Sequence, residues 1–296
     1  MSSIPDWFWN AVEAPRETGR VEVDECDVCF LAWGERGLPG LLLVHGMNAH
    51  AHWWDFIAPH LSERYRIAAV DLTGMGDSDY RHEYDADTWA DELLAVADAA
   101  GLGTDTVIVG HSFGGRIGLH AAVRHQARFA GLVMADAGIR DPEDRIDHER
   151  PPMGGAPVLY PDAETARKRF RLQPPQPCAN DFLLEYIARQ SVMFFEADDD
   201  GDGGFAFKFD TDLMTSMSGV SRDDAEADFR ALELPFGLIY GADSALFSGR
   251  TLAYMQQLRG GEFPAVALPD AQHHLFLDQP LAFVDALAEL LPALTR

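Results

Sequence analysis

Lysine is nearly missing from this chain: of 23 basic residues only Lys168 and Lys208 are lysine, set against 48 Asp and Glu. The resulting net charge of −25 repels phosphate backbones and anionic membrane surfaces, so no nucleic-acid partner is expected. An acid-rich, lysine-poor surface fits salt adaptation, a high-GC source or simply a soluble exterior. Cysteine is scarce too, and three of them exclude a disulfide framework. Cys26 and Cys29 form a C-x-x-C in "DECDVCFLAW", but the run alternates like a strand and no second pair completes a zinc site, so their expected role is structural. Cys178 sits in a proline-rich stretch and carries no signal. No apolar run approaches the roughly 18 to 20 residues that span a bilayer, and "MSSIPDWFWNAVEAPRE" lacks the cationic start of a signal peptide. A cytoplasmic protein with no membrane partner is expected. Internal repeats are absent, and nothing in the sequence speaks to oligomeric state.

What is present is an α/β rhythm. "RVEVDECDVCFLAWGERG" reads as a hairpin, and "GLLLVHG", "RIAAVDLTG", "TVIVG" and "FAGLVMAD" read as continuously apolar, fully buried strands. Helical patterns lie between them: "AHWWDFIAPHLSERY", "DADTWADELLAVADAAGLG" and "GGRIGLHAAVRHQ". Strands of that kind alternating with amphipathic helices predict a mostly parallel central sheet with helices on both faces. The rhythm breaks near Gly138 and resumes at "LPFGLIYGADS", followed by a helix at "LAYMQQLRG", a strand at "FPAVALPD" and a last helix at "PLAFVDALAELLPAL". The division that follows is a core over 1–138 and 231–296 with an inserted, largely helical lid over 139–230, which includes a helical piece "NDFLLEYIARQSVMFF".

The chemistry-bearing segments fall at strand ends. "TVIVGHSFGG" places Ser112 in G-x-S-x-G between a strand and a helix, where a sharp bend exposes the hydroxyl to a base. The Phe113 N–H at the helix start and the Met47 N–H after "LLLVHG" are candidate oxyanion donors. His45 is expected to fix its loop, and His50 and His52, without a nearby carboxylate cluster, read as polar loop residues; no metal or cofactor is expected. "LPDAQHHLFLDQP" follows the last strand and offers His273 as the base, with His274 left to pack or face solvent.

Taken together, "HGMNAHAHWW", "DLTGMGDSD", "GHSFGG", "YGADS" and "AQHHLFLDQP" resemble, in order, the signature segments of the α/β-hydrolase fold superfamily, covering all but the inserted segment. Gln272 departs from the glycine usual before the histidine. The resemblance implies a Ser, acid, His order. The commonest acid position, three residues after Gly241, holds Ser244 here; Asp243 lies one residue short. Asp136, at the end of the strand after the serine, is where some members carry the acid. Asp136 is the preferred reading, Asp243 the alternative and Ser244 a hydrogen-bonding helper. The implied activity is cofactor-free serine hydrolysis of a carboxylic ester, lactone or related small acyl compound. Carbon–carbon bond hydrolysis of a diketone and a non-catalytic receptor are the alternatives, while a serine elbow disfavours epoxide or haloalkane chemistry. Trp54, Met193 and Phe194 are candidates to line an acyl or ring pocket, the last two serving equally well to pack the insertion on the body. "DDDGDG" from Asp198 imitates an EF-hand start, but Phe209 stands where the twelfth-position Glu belongs, so a polar turn is expected.

Overall fold

The computed structural model describes residues 4–143, 155–196 and 203–294. The Asp198 turn and part of the insertion lie outside these residues. In chain order the elements are α1 (Asp6–Val12), β1 (Glu17–Val23), β2 (Cys26–Trp33), β3 (Gly40–Val44), β4 (Arg66–Val70), β5 (Tyr84–Asp85), α2 (Ala86–Ala99), β6 (Thr106–His111), α3 (Phe113–Arg124) and β7 (Phe129–Ala135). The inserted stretch follows with α4 (Ala163–Arg167), α5 (Asp181–Gln190), β8 (Val192–Phe195), β9 (Gly204–Phe207), α6 (Leu213–Ser216), β10 (Met217–Ser218) and α7 (Arg222–Ala231). The chain closes with β11 (Phe236–Gly241), α8 (Gly249–Arg259), β12 (Ala265–Leu268), α9 (Leu275–Asp278) and α10 (Pro280–Leu294).

Eight strands form one sheet in the order β1-β2-β4-β3-β6-β7-β11-β12, antiparallel only where the β1/β2 hairpin joins β4. The apolar strand runs divide by parity, as alternating side-chain directions demand. Leu41, Leu43, Val107 and Val109 pack with Trp54, Phe276 and Phe283 on one face. Leu42, Val44 and Ile108 pack with Trp89, Leu93 and Ile117 of α2 and α3 on the other. Each such fully buried side chain contributes about 1.5–3 kcal/mol of burial free energy, which is why unbroken Leu, Ile and Val runs specify a two-sided sheet. Because β3, β6, β7, β11 and β12 run parallel, their C-terminal ends lie along one edge, where the loops carrying Met47, Ser112, Asp136, Ser244 and His273 begin.

Two local readings need correcting. "AHWWDFIAPHLSERY" is not an α-helix but two 3₁₀ turns, Ala51–Trp54 and Ala58–His60. Pro59 removes a backbone donor and blocks a continuous helical ladder, and Asp71 Oδ1 holds the Ala51 N–H at 2.6 Å. The helical piece starting at Asp181 stops at Gln190: Val192–Phe195, β-branched and aromatic, turn into a strand paired antiparallel with Gly204–Phe207. The inserted stretch is thus mixed α and β, and its α7 packs against α3 and α8. Among the described residues no helix is long and apolar enough to cross a membrane.

Candidate active site

The elbow is set by steric limits. Ser112 sits at φ 52°, ψ −116°, between the last residue of β6 and the first of α3, a backbone region that costs a non-glycine residue about 1–3 kcal/mol. The strain is held because strand and helix close on each other: a Cβ on Gly110 would lie 2.3 Å from the Gly114 carbonyl oxygen, and one on Gly114 would lie 2.3 Å from the His45 oxygen. Both flanking positions of G-x-S-x-G therefore admit only glycine.

Three distant segments meet there. The Ser112 hydroxyl lies 2.9 Å from His273 Nε2, and His273 Nδ1 lies 2.7 Å from Asp136 Oδ2. Because an ionised carboxylate only accepts, Nδ1–H donates to Asp136 and Nε2 is left to accept from Ser112. Asp136 is fully engaged: Oδ1 accepts the Gly241 N–H at 3.0 Å and Oδ2 also accepts the Ser244 hydroxyl at 2.6 Å. Both His273 and Asp136 are 3% exposed, so their interaction is shielded from solvent. Asp243 is exposed, and what ties it to this region is its backbone N–H, which donates to the Ala271 carbonyl. Of the two carboxylates, the imidazole meets Asp136, with Ser244 beside it.

The two candidate backbone donors, Phe113 and Met47, follow β6 and β3. Phe113 is the first residue of α3, so its N–H precedes the helical ladder. The Met47 N–H has no acceptor among the described residues. His45 fixes the Met47 loop: Nδ1–H donates to the Gly46 carbonyl at 2.7 Å, Nε2 accepts the Leu72 N–H at 3.2 Å, and burial pulls its pKa down to about 4, so it stays neutral. His50 binds Ser191 Oγ at 2.8 Å and His52 binds Asp55 at 2.6 Å, so both knit loops together. Gln272 places its N–H on Asp278 Oδ2 at 2.8 Å, so the departure from glycine still anchors the histidine loop.

A cavity of about 360 Å³ opens onto Ser112 and His273 and is lined by Met47, Trp53, Phe170, Leu172, Phe207 and His274, among others. Trp53, not Trp54, faces it. Adjacent indoles on a tight turn diverge: Trp54 is fully buried against Phe276, ring centroids 4.9 Å apart, while Trp53 tilts over His274 at 5.5 Å. Met193 and Phe194 also fall outside the lining; they are 37% and 52% exposed on β8, where Phe194 meets Phe205 across the hairpin. His274 is buried, and desolvation lowers its pKa to about 3. His111, invisible to motif reasoning as the variable residue of G-H-S, donates Nε2–H to the His273 carbonyl at 3.0 Å and steadies that loop. Donor atoms of His111, His273 and His274 lie within 4.8 Å of one another, yet a metal there would take the His273 nitrogen that faces Ser112 or the one that faces Asp136. Sequence reasoning also passed over Arg169 and Arg171, which line the cavity; the available signal was "RKRFR", four cations in five residues of a cation-poor chain.

Residues 41–286 match the model of a family described as "Alpha/beta hydrolase family". The chain belongs to the alpha/beta hydrolase family. Among its hydrolase relatives, a pimeloyl-[acyl-carrier protein] methyl ester esterase of Neisseria meningitidis is 27% identical over 81% of this chain and 73% of that protein. Lipase LipV of Mycobacterium tuberculosis is 32% identical over 48% of this chain and 54% of its own length. The thioesterase domain from the curacin biosynthetic pathway shares the alpha/beta hydrolase fold with a TM-score of 0.75, covering 93% of this chain and 100% of that one at 19% identity. The chain is accordingly an enzyme with hydrolase machinery.

Proposed function

We propose that this hydrolase cleaves a carboxylic ester, lactone or related small acyl compound through an acyl-enzyme on Ser112. The Ser112 oxygen attacks the carbonyl carbon as its proton passes to His273 Nε2, and the Asp136 carboxylate holds the imidazole and offsets its charge. The Met47 and Phe113 amides receive the carbonyl oxygen as it becomes an oxyanion. Collapse of the tetrahedral intermediate expels the alcohol, which takes the proton from His273; water then attacks the acyl-enzyme, gives a proton to His273 and releases the acid while Ser112 recovers its own.

The observation that carries this reading is the continuous relay of 2.9 Å and 2.7 Å contacts from Ser112 through His273 to Asp136. Esterase and lipase relatives support the same reaction class. The described part of 139–230 serves as a lid in this scheme, since Phe170, Leu172 and Phe207 from it line the same cavity as Ser112. Hydrolysis of a short aryl ester by the Ser112→Ala variant is the test: turnover is expected to fall to background, and retained activity refutes the nucleophile. Product analysis separates ester cleavage from hydrolysis of a carbon–carbon bond.

A further inference from the structure

We propose that the substrate carries a second, anionic carboxylate, which Arg169 and Arg171 hold while its scissile carbonyl lies at Ser112; this rests on the Ser112 reading above. Both arginines line the same cavity as Ser112 and His273. They come from "RKRFR", residues 167–171, the point where a chain of net charge −25 concentrates four of its 23 basic residues.

Among the described residues no carboxylate neutralises either charge. Lys168 is paired with Glu164 and Lys208 with Asp77, each at 2.6 Å, so those two cations are already balanced. Arg171 donates from one guanidinium nitrogen to the Lys168 and Phe170 carbonyls, at 2.9 and 2.6 Å, which neutralises no charge and leaves its other N–H groups without a partner among the described residues. Arg169 donates its backbone N–H to the Ala166 carbonyl at 2.9 Å, while its guanidinium has no hydrogen-bond or ion-pair partner among the described residues. The backbone carrying them is anchored: Leu172 is buried, and Phe170 packs against Trp53 and Phe207, ring centroids 6.4 and 6.3 Å away. Two guanidinium forks on a fixed backbone, in a field that otherwise repels anions, create a local site matched to a planar carboxylate. A phosphate would satisfy the same donors. Carriers that bear a phosphate hold it at the far end of a long thioester arm, and because both arginines are exposed the two sources of the same chemistry are separated by experiment. A carboxylate on the acyl compound itself is the planar anion that a guanidinium fork meets with two parallel hydrogen bonds.

The test compares monomethyl esters of linear dicarboxylic acids with methyl esters of monocarboxylic acids of the same chain length. The wild-type enzyme is expected to favour the acidic ester in kcat/KM by about tenfold or more at its best chain length, through KM, and the preference is expected to shrink as salt is added. In the Arg169→Gln/Arg171→Gln double variant, with folding checked by circular dichroism, the ratio of the two kcat/KM values should fall to near one. The Arg169→Lys/Arg171→Lys variant should keep part of it. No preference in the wild type, or a preference that survives in the glutamine variant, overturns the proposal. So does a stronger, arginine-dependent preference for an acyl phosphopantetheine thioester, which would assign the cations to phosphate. Hydrolysis of both esters by Ser112→Ala would instead refute the nucleophile, independently of the ratio.

Discussion

Replacing Asp136 by Asn removes a charge and also reverses the direction of a hydrogen bond, and the surroundings decide which way. The new amide can put its oxygen or its NH₂ at the Oδ2 position, which faces His273 Nδ1 and Ser244 Oγ. With the oxygen there, the NH₂ confronts the Gly241 N–H, a backbone donor fixed at the end of β11 that cannot become an acceptor; two opposed buried donors cost about 1–3 kcal/mol. With the NH₂ there, every group is satisfied, because the Ser244 hydroxyl can rotate and the imidazole can shift its proton to Nε2. That arrangement leaves Nε2–H pointing at Ser112, a tautomer unable to accept its proton. Trapping a triad histidine in the wrong tautomer costs about 10⁴ in kcat, or about 5.5 kcal/mol of transition-state stabilisation. Steady-state hydrolysis of a chromogenic aryl ester by Asp136→Asn, with the urea midpoint measured alongside, should show that loss. Asp243→Asn, at an exposed position, should stay within about twofold of wild type. Activity kept to within tenfold in Asp136→Asn, or a larger loss in Asp243→Asn, would place the acid elsewhere.

Trp54→Ala should lower unfolding free energy by about 3–5 kcal/mol, since the ring is fully buried against Phe276 and Phe283; an unchanged urea midpoint would place Trp54 elsewhere. Trp53→Ala should instead alter the acyl chain-length preference, read from kcat/KM across an ester series, because that ring borders the cavity. His120 bridges α2 and α7 through Asp87 and Asp228, at 2.7 and 2.8 Å, and its hydrogen bond to Asp228 leads the interactions that raise its pKa to about 9. A raised folded-state value means this stabilisation is full below about pH 6.5 and is lost as pH rises through about 9. Because the side chain is 22% exposed, it contributes only about 2 kcal/mol after solvent screening. Glu92, buried and raised to about 7, tilts stability in the same direction between about pH 4.5 and 7. The check is therefore the difference in urea stability between wild type and His120→Gln, which should shrink from about pH 6.5 to 9.5 and contradicts the assignment if it stays constant.

The parallel sheet was legible because strands such as "GLLLVHG" and "TVIVGHS" must be apolar on both faces, a demand no surface element shares. Ser112, His273 and the candidate donors at Met47 and Phe113 were legible for a related reason: the elbow needs its glycines, and every parallel strand delivers its loop to the same edge. The choice between Asp136 and Asp243 could only be weighed, since it depends on where two loops of different chain length come to rest; the structure sets the Asp136 carboxylate on His273 and leaves Asp243 exposed. Pocket residues were read least well. Trp53 and Trp54 are identical in chemistry and adjacent in sequence, and the divergence of their rings is decided by Phe276 and Phe283, more than 200 residues away in the chain. Met193 and Phe194 looked like lining because they are apolar, but they stand on opposite faces of a short two-stranded hairpin, and both faces leave them exposed. Arg169 and Arg171 passed unnoticed because a cationic run ordinarily marks a solvated face.

The central claim is that Ser112 is an activated nucleophile, and the most direct measurement is covalent labelling by a fluorophosphonate followed by mass spectrometry of the digested protein. The adduct is expected on the peptide containing Ser112, at a rate that drops sharply in His273→Ala and disappears in Ser112→Ala. Labelling at a different serine, or at Ser112 with a rate indifferent to His273, would contradict the account.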